Sequence, residues 1–401
     1  MTDYLISDYG AQPGVDCTAA IDQAVRACEL TGGRVVVPVG RFLTGPIRLR
    51  SNVELHLVAG ATLRFLTDPA SYPIVRTRWQ GIECMSHSPL IYAYDAVNVA
   101  ITGTGTLDGC ASPDTWWRDT RPVDDWNRLV QLVNDEVPVE ERIFQPGHGF
   151  RPSFIQPYLC RRVRIEDVRI INAPMWVIHP VLSSDIVVRG VTVDSRGPNN
   201  DGCNPDSCRD VVISGCSFDT GDDCIAIKSG RDADGRRVGR PSENILIENC
   251  RFGTGHGAVT IGSETSGGIR NVIARDLHIT GPAIDHALRL KTNSHRGGLI
   301  EHIDFRDTQI DSVTTSAILI NTHHADDQVT GTHHPTVREI SISALTIHNA
   351  PKTLDLRQTP QSPVHSLTFT TTPTTPVPPT PANTSSAQAT PANPTPANTT
   401  P

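Results

Sequence analysis

The chain has 401 residues, 38% of them hydrophobic and 19% charged, with a formal net charge of −8 from 35 Lys+Arg and 43 Asp+Glu. That acidic balance excludes a general nucleic-acid binder, which needs a basic face. No run approaches the roughly 18 consecutive apolar residues of a membrane helix.

Met1–Asp8 (MTDYLISD) has neither a basic stretch nor an apolar run, so the chain as given reads as lacking a secretory signal and as cytoplasmic. Thr18–Leu30 (TAAIDQAVRACEL) places Ile21, Ala24, Val25 and Cys28 on one helical face, and Gly32-Gly33 ends it. Strand signals follow at Arg34–Pro38, Val53–Leu57 and Val97–Ile101. A long insertion, Gly109–Arg151, then breaks the pattern and carries Trp116, Trp117, Trp126 and an isolated Gly147-His148-Gly149.

From Arg161 onward a unit recurs: apolar–x–apolar, two or three small or polar residues, apolar–x–apolar. Its copies begin at Val163, Ile186, Val211, Ile245, Val272, Ile303 and Ile340, at intervals of 23, 25, 34, 27, 31 and 37 residues. Each copy is two short strands joined by a tight turn and is too small to bury its own face. Stacked copies share one core. No helices alternate with these strands, which argues against a doubly wound sheet or a TIM barrel. Constant strands at irregular spacing predict an all-β fold: a right-handed single-stranded parallel β-helix (a solenoid) with a short N-terminal capping helix. A β-sandwich is the structural alternative. The ten cysteines fit no CxxC…CxxC metal pattern and read as small core residues, some of them paired if the protein is exported. Thr371–Pro401 holds ten Thr and nine Pro with no charge and no aromatic ring, and reads as a disordered tail or linker. The expected organisation is therefore a domain over 1–370 and a tail over 371–401. Such tails tether modules of exported enzymes, which makes secretion the alternative location.

Equivalent positions on neighbouring rungs of a parallel solenoid lie about 4.8 Å apart. Asp201 and Asp222 are 21 residues apart, close to one rung, and Asp223 is adjacent. Three crowded carboxylates push at least one pKa upward, so that one stays an acid while the others act as bases. Glycosidic hydrolysis uses such a pair; solvated turns or Ca²⁺ binding are the plainer readings. Gly255-His256-Gly257 brings an imidazole between residues that permit close backbone approach. Arg289 and Lys291, two apart on a strand, share one face and together suit a carboxylate of an anionic substrate.

Taken in order, Asn199-Asn200-Asp201, Asp222-Asp223, Gly255-His256-Gly257 and Arg289-Leu290-Lys291 resemble the Asn-Thr-Asp, Asp-Asp, Gly-His-Gly and Arg-Ile-Lys motifs of family 28 glycoside hydrolases, the polygalacturonases. The resemblance runs from about Tyr4 to Leu345. It implies a β-helical pectin-degrading hydrolase that cleaves α-1,4-galacturonosyl bonds with inversion. Asp222 is then the general acid, Asp201 and Asp223 position and deprotonate water, and His256 holds the acid in its working state. Arg289 and Lys291 bind the galacturonate carboxylate, with Asn199 as a further substrate contact. No metal or cofactor is expected. The expected partner is a galacturonate-containing polysaccharide or oligosaccharide, met by a monomer without nucleic acid or membrane.

Three departures stand out. Asn200 replaces Thr. Asn204 stands where an Asp is usual, which makes Asp206 a rival to Asp201. His323-His324 stands where a tyrosine is usual. Trp116 and Trp117 are candidates to stack on sugars or simply to pack on the barrel. Two insertions, Gly109–Arg151 and Ser229–Glu243 (with Arg231, Arg236, Arg237 and Arg240), are placed to block one end of a groove. An exo-acting enzyme releasing galacturonic acid from the non-reducing end is therefore expected. Alternatives are an endo-polygalacturonase, a hydrolase of rhamnogalacturonan or xylogalacturonan, a β-helical lyase, and a non-catalytic polysaccharide-binding β-helix.

Overall fold

A computed structural model describes residues 2–118, 122–145, 147–325 and 328–371. The Pro/Thr-rich segment after Thr371 lies outside them.

The apolar–x–apolar units become rungs of a right-handed parallel β-helix. In a first ladder, Val163, Ile186, Val211, Ile245, Val272, Ile303 and Ile340 stack in register. In a second, Ile170, Val193, Phe218, Phe252, Ile279, Ile310 and Ile347 do the same. Between the two ladders the chain turns through a left-handed residue at Asp167, Gly190, Gly215, Asn249, Asp276, Asp307 and Ala344. Asp, Asn and Gly tolerate that conformation best, which is why polar and small residues punctuate the units. The inward column is almost wholly excluded from water, and each such Ile or Val contributes roughly 1.5–3 kcal/mol. Phe218 and Phe252 stack within it at 5.7 Å.

A third ladder completes the triangular coil. It begins with Ile47–Leu49, Ile91–Tyr94 and Ile155–Tyr158. It narrows to single bridges through Ile178 and Cys203, then widens again at Ile225–Ile227, Val259, Leu288 and Ile318. The helix Thr18–Thr31 buries Ala20, Ile21, Ala24, Val25 and Cys28 and covers the N-terminal end of the coil. All ten cysteines are free thiols, and all but Cys110 are buried. No described helix is long and apolar enough to cross a membrane.

Three excursions from the coil build a wall beside the third ladder. They are an antiparallel hairpin, Ile74–Trp79 with Ile82–His87, and the helices Val123–Asn134 and Asp232–Val238. Trp79, Ile82, Leu129, Phe144 and Phe150 join Met175 and Trp176 of the coil in a second apolar cluster. Buried charges bind the pieces together. Arg142 reaches Asp234 at 2.6 Å, Asp234 accepts from the Glu83 amide at 2.8 Å, and Arg78 reaches Asp206 at 2.7 Å. Breaking one such pair would strand a buried charge at a cost of about 3–5 kcal/mol.

Candidate active site

The third-ladder register decides which side chains meet. Cys203, Ile225, Val259 and Leu288 are stacked partners. Two residues earlier on each rung stand Asp201, Asp223, Gly257 and His286. Asp201 is therefore the rung partner of Asp223, and Asp222 that of His256. This corrects the sequence-based pairing of Asp201 with Asp222, because the rung here is one residue longer than that pairing assumes. Backbone bonds fix the stack: Gly202 N donates to Asp223 O at 3.0 Å and Cys224 N to Gly257 O at 2.8 Å.

The glycines flanking His256 make room for the carboxylates. A Cβ on Gly257 would lie 2.3 Å from Thr260 Oγ1, 3.1 Å from Asp223 Oδ1 and 3.2 Å from Arg289 Cβ. One on Gly255 would lie 2.7 Å from the Asp222 carbonyl.

Arg289 and Lys291 converge on the same carboxylate. Arg289 Nη1 donates to Asp223 Oδ1 at 3.0 Å and Lys291 Nζ to Oδ2 at 2.7 Å. Leu290 between them is buried in the core. Burial alone would raise the Asp223 pKa, but Lys291, Arg289 and Lys228 outweigh it and hold the group well below the usual carboxylate range. Asp201 behaves oppositely. Burial, helped by the Asp222 and Asp223 charges, outweighs Lys228 and pushes its pKa up to about 8. Asp222 is lowered: burial opposes ionisation, but the hydrogen bond from His256 favours it. That bond, His256 Nδ1 to Asp222 Oδ1 at 3.1 Å, in turn raises the histidine's pKa. Asp201 thus favours its protonated form near neutral pH, while Asp222 and His256, both open to solvent, favour each other's charged form.

Asp222 and His256 open into a cavity of about 500 Å³ that is also lined by Trp79, Gln80, Trp126, Asn199 and Arg231. Arg231 lies over the Trp126 ring at 4.5 Å. Burial and the nearby Arg296 pull its pKa down to about 10, so it remains cationic. Asn199 sits at the rim with its Oδ1 held by Arg151 Nη2 at 2.6 Å.

Several expected residues fall elsewhere. Asp206 is locked against Arg78 and the Gly230 amide, inside the wall. Trp116 packs on Tyr72 and Trp117 donates to the Ala173 carbonyl at 3.0 Å, so Trp126 and Trp79 are the indoles of the cavity. Of the four arginines after Ser229, only Arg231 lines it. Arg236 binds the His295 carbonyl and Arg237 binds Asp234, while Arg240 is exposed on another face. His148 pairs with Asp125 at 2.5 Å, away from the trio. His324 stands near Lys291 and Arg289; burial and those charges depress its pKa to about 4.

Sequence reading missed two charged residues. Lys228 Nζ lies 3.3 Å from Asp201 Oδ2 and 3.0 Å from Glu264 Oε2, over the Trp176 ring at 4.4 Å. Lys228 directly follows the strand Ile225–Ile227, five residues after Asp223, so its proximity was legible; Glu264 enters from the next rung and left no local signal. Among the described residues the one group spaced to hold a metal is Glu301, His302 and Glu339 on the first ladder, where Glu301 is already bound by Arg338.

The model of "Glycosyl hydrolases family 28" matches residues 140–361. A solved exopolygalacturonase from Thermotoga maritima is 42% identical, with 91% of this chain and 85% of that one covered at a TM-score of 0.88. An exo-poly-alpha-D-galacturonosidase from Dickeya chrysanthemi is 30% identical over 82% of this chain and 58% of its own length. A probable polygalacturonase from Vitis vinifera is 29% identical over 83% and 65%. The chain thus spans under two thirds of these two curated relatives. With the family match covering more than half of the chain, and the rungs, the wall and the motif residues in one coil, this protein belongs to glycosyl hydrolase family 28.

Proposed function

We propose that this protein is an exo-acting polygalacturonase that hydrolyses α-1,4-galacturonosyl bonds with inversion and releases galacturonic acid from the non-reducing end. The observation that carries this reading is the wall: Trp79, Trp126 and Arg231 line one side of the cavity directly beside Asp222 and His256. A polymer running through an open groove would collide with it, whereas a chain end fits. The exo-acting relatives from Thermotoga maritima and Dickeya chrysanthemi support the same reading.

The terminal sugar enters with its carboxylate toward Arg231, and its ring packs against Trp126. The carboxylate on the other side of the scissile bond draws Arg289 and Lys291 from Asp223. Two changes follow. Asp223 loses its compensating cations, and a new anion stands near Asp222, raising its pKa toward the protonated state. Asp222 takes up the proton that Asp201 holds in the free protein and donates it to the glycosidic oxygen, which leaves Asp201 ionised. Asp201 and Asp223, facing each other across one rung, hold and deprotonate the attacking water on the opposite side of the sugar. His256 keeps Asp222 oriented. Residues 1–370 are read as the enzyme's catalytic domain, acting as a monomer.

Product analysis over time on polygalacturonate tests the proposal. Monomer should accumulate from the first minutes with little fall in viscosity, and Asp222→Asn should lose about 10²–10⁴-fold in turnover. An early ladder of medium-length oligomers would overturn the exo reading, and full activity of the variant would overturn the assignment of the acid.

A further inference from the structure

A second basic pocket lies outside the wall. The first-ladder register pairs Arg161 with Ser184, Ser184 with Arg209, and Arg209 with Glu243. Arg161 and Arg209 therefore stand two rungs apart, about 9.6 Å along the coil. The small Ser184 between them leaves a notch. Arg240, at the end of the insertion that gives Arg231 to the catalytic cavity, closes the notch from the side, and Ser207 lies on its floor. The hollow measures about 290 Å³.

Its charge is not internally balanced. All three arginines are exposed. Arginine ion pairs are common elsewhere on this surface, yet no ion pair to an acidic side chain is found for Arg161, Arg209 or Arg240 among the described residues. Glu243 is the acidic residue lining the hollow, and it is taken by Arg270 of the next rung at 2.6 Å. Three free guanidiniums around one hollow on a chain of net charge −8 form a local anion trap. Guanidinium forks match carboxylates bidentately.

The hollow has a fixed relation to the chemistry. Asp201 and Ser207 lie at opposite ends of one third-ladder segment, with Cys203 and Asp206 bridging to adjacent rungs between them. The catalytic cavity and the arginine hollow thus flank the same rungs, with the wall between them. A ligand that spans rungs and carries carboxylates at regular intervals fits Arg161 and Arg209 together; a single small anion engages only one.

We propose that Arg161, Arg209 and Arg240 form a non-catalytic binding site for a polyuronate chain, which keeps the polymer on the enzyme while its end is trimmed in the cavity. The choice of polyuronate rests on the function proposed above; the existence of an anionic polymer site rests on the arginines alone.

The test uses the full chain carrying Asp222→Asn, so that polymer is bound without being cut. Titration with polygalacturonate should show binding that weakens roughly five- to tenfold when Arg161, Arg209 and Arg240 are all replaced by Ala, in line with three partly exposed charge contacts. Replacement by Lys should restore part of the affinity. In the otherwise unaltered protein the Ala variant should keep its turnover on digalacturonate while its KM on the polymer rises by a similar factor. Equal polymer binding by the Ala variant, or a loss of digalacturonate turnover that matches the loss on polymer, would overturn the proposal. So would inorganic phosphate displacing the polymer at concentrations where sodium chloride of equal ionic strength does not, since that marks a phosphate site. If the unaltered protein cuts no galacturonan yet binds it through these arginines, the catalytic reading fails and this one stands.

Discussion

Asp201 and Asp223 occupy neighbouring rungs, both buried, yet their carboxyls shift in opposite directions. The difference is the cation count. Asp223 receives Arg289 and Lys291 directly, whereas Asp201 shares Lys228 with Glu264 and receives one amide from Asn204 at 2.9 Å. Environments that separate like groups in this way decide which of them carries the shared proton before substrate binds. The sign for pH dependence follows. Asp201 is raised, so the trio keeps its proton as pH rises until about 8, and kcat/KM should fall as pH passes that value. Lys228 opposes the rise, so removing it should move the alkaline limb higher. Lys228→Met alone would strand Glu264, which is buried and held ionised by Lys228 and Arg231 against its own burial. The double variant Lys228→Met/Glu264→Gln avoids that. A pH–rate profile of this variant should show the alkaline limb displaced upward; an unmoved limb would mean that the titrating proton is not on Asp201.

At the scale of the element, the strand Arg251–Gly262 must come close to the rung before it, and its glycines set the approach. Gly257→Ala places a methyl against Thr260 and within 3.1 Å of Asp223 Oδ1. The methyl fits only if the Thr260 hydroxyl moves away and the Asp223–Arg289 pair gives by a few tenths of an ångström. Turnover on galacturonan should fall at least tenfold, with destabilisation of about 1–3 kcal/mol from overpacking. Activity assays beside thermal melts check this, and a variant that melts early yet turns over normally when folded would show that Asp223 had not moved. The first two ladders were readable because their strands alternate strictly around left-handed Asp, Asn or Gly turns. The third was not. Between Ile178 and Cys203 it shrinks to bridges, and Ile225-Ala226-Ile227 is buried at every position because neighbours cover its outer face. Alternation is lost where both faces are covered. The helix Asp232–Val238 (DADGRRV) has no apolar stripe; Asp234 anchors it through Arg142 and the Glu83 amide. Charge pairing across distant loops has no period, so two of the wall's three segments were legible as insertions, the hairpin Ile74–His87 was not, and the contents of none were. The motif residues were legible because each lies on or beside a rung.

Across the whole molecule, each rung touches chiefly its two neighbours, so stability is close to a sum of nearest-neighbour terms. The two ends differ. The N-terminal end carries a helix that buries five side chains, Ala20, Ile21, Ala24, Val25 and Cys28. The C-terminal end closes on Leu354–Arg357 and Val364–Thr371, where no residue is fully buried. Opening should therefore begin at the C-terminal rungs. Hydrogen exchange should proceed first over 354–371 and last over the rungs from Arg161 to Ile310; simultaneous exchange at both ends would contradict this gradient.

The wall also imposes an order on synthesis. Its parts come from 74–87, 122–150 and 230–240, whereas Asp201, Asp222 and Asp223 precede the last of these along the chain. A nascent chain that has emerged only as far as Ser229 already contains Arg142 and the Glu83 amide, but not Asp234, which neutralises the first and accepts from the second. The hairpin and the helix Val123–Asn134 can pack on Met175 and Trp176, but their charge pairing therefore stays incomplete until Asp234 emerges. That pairing waits through roughly a hundred residues of further translation, at about 5–20 residues per second, with Arg142 lacking its carboxylate partner. The wall is thus a part of this protein whose charge pairing is completed only after the site carboxylates are already made.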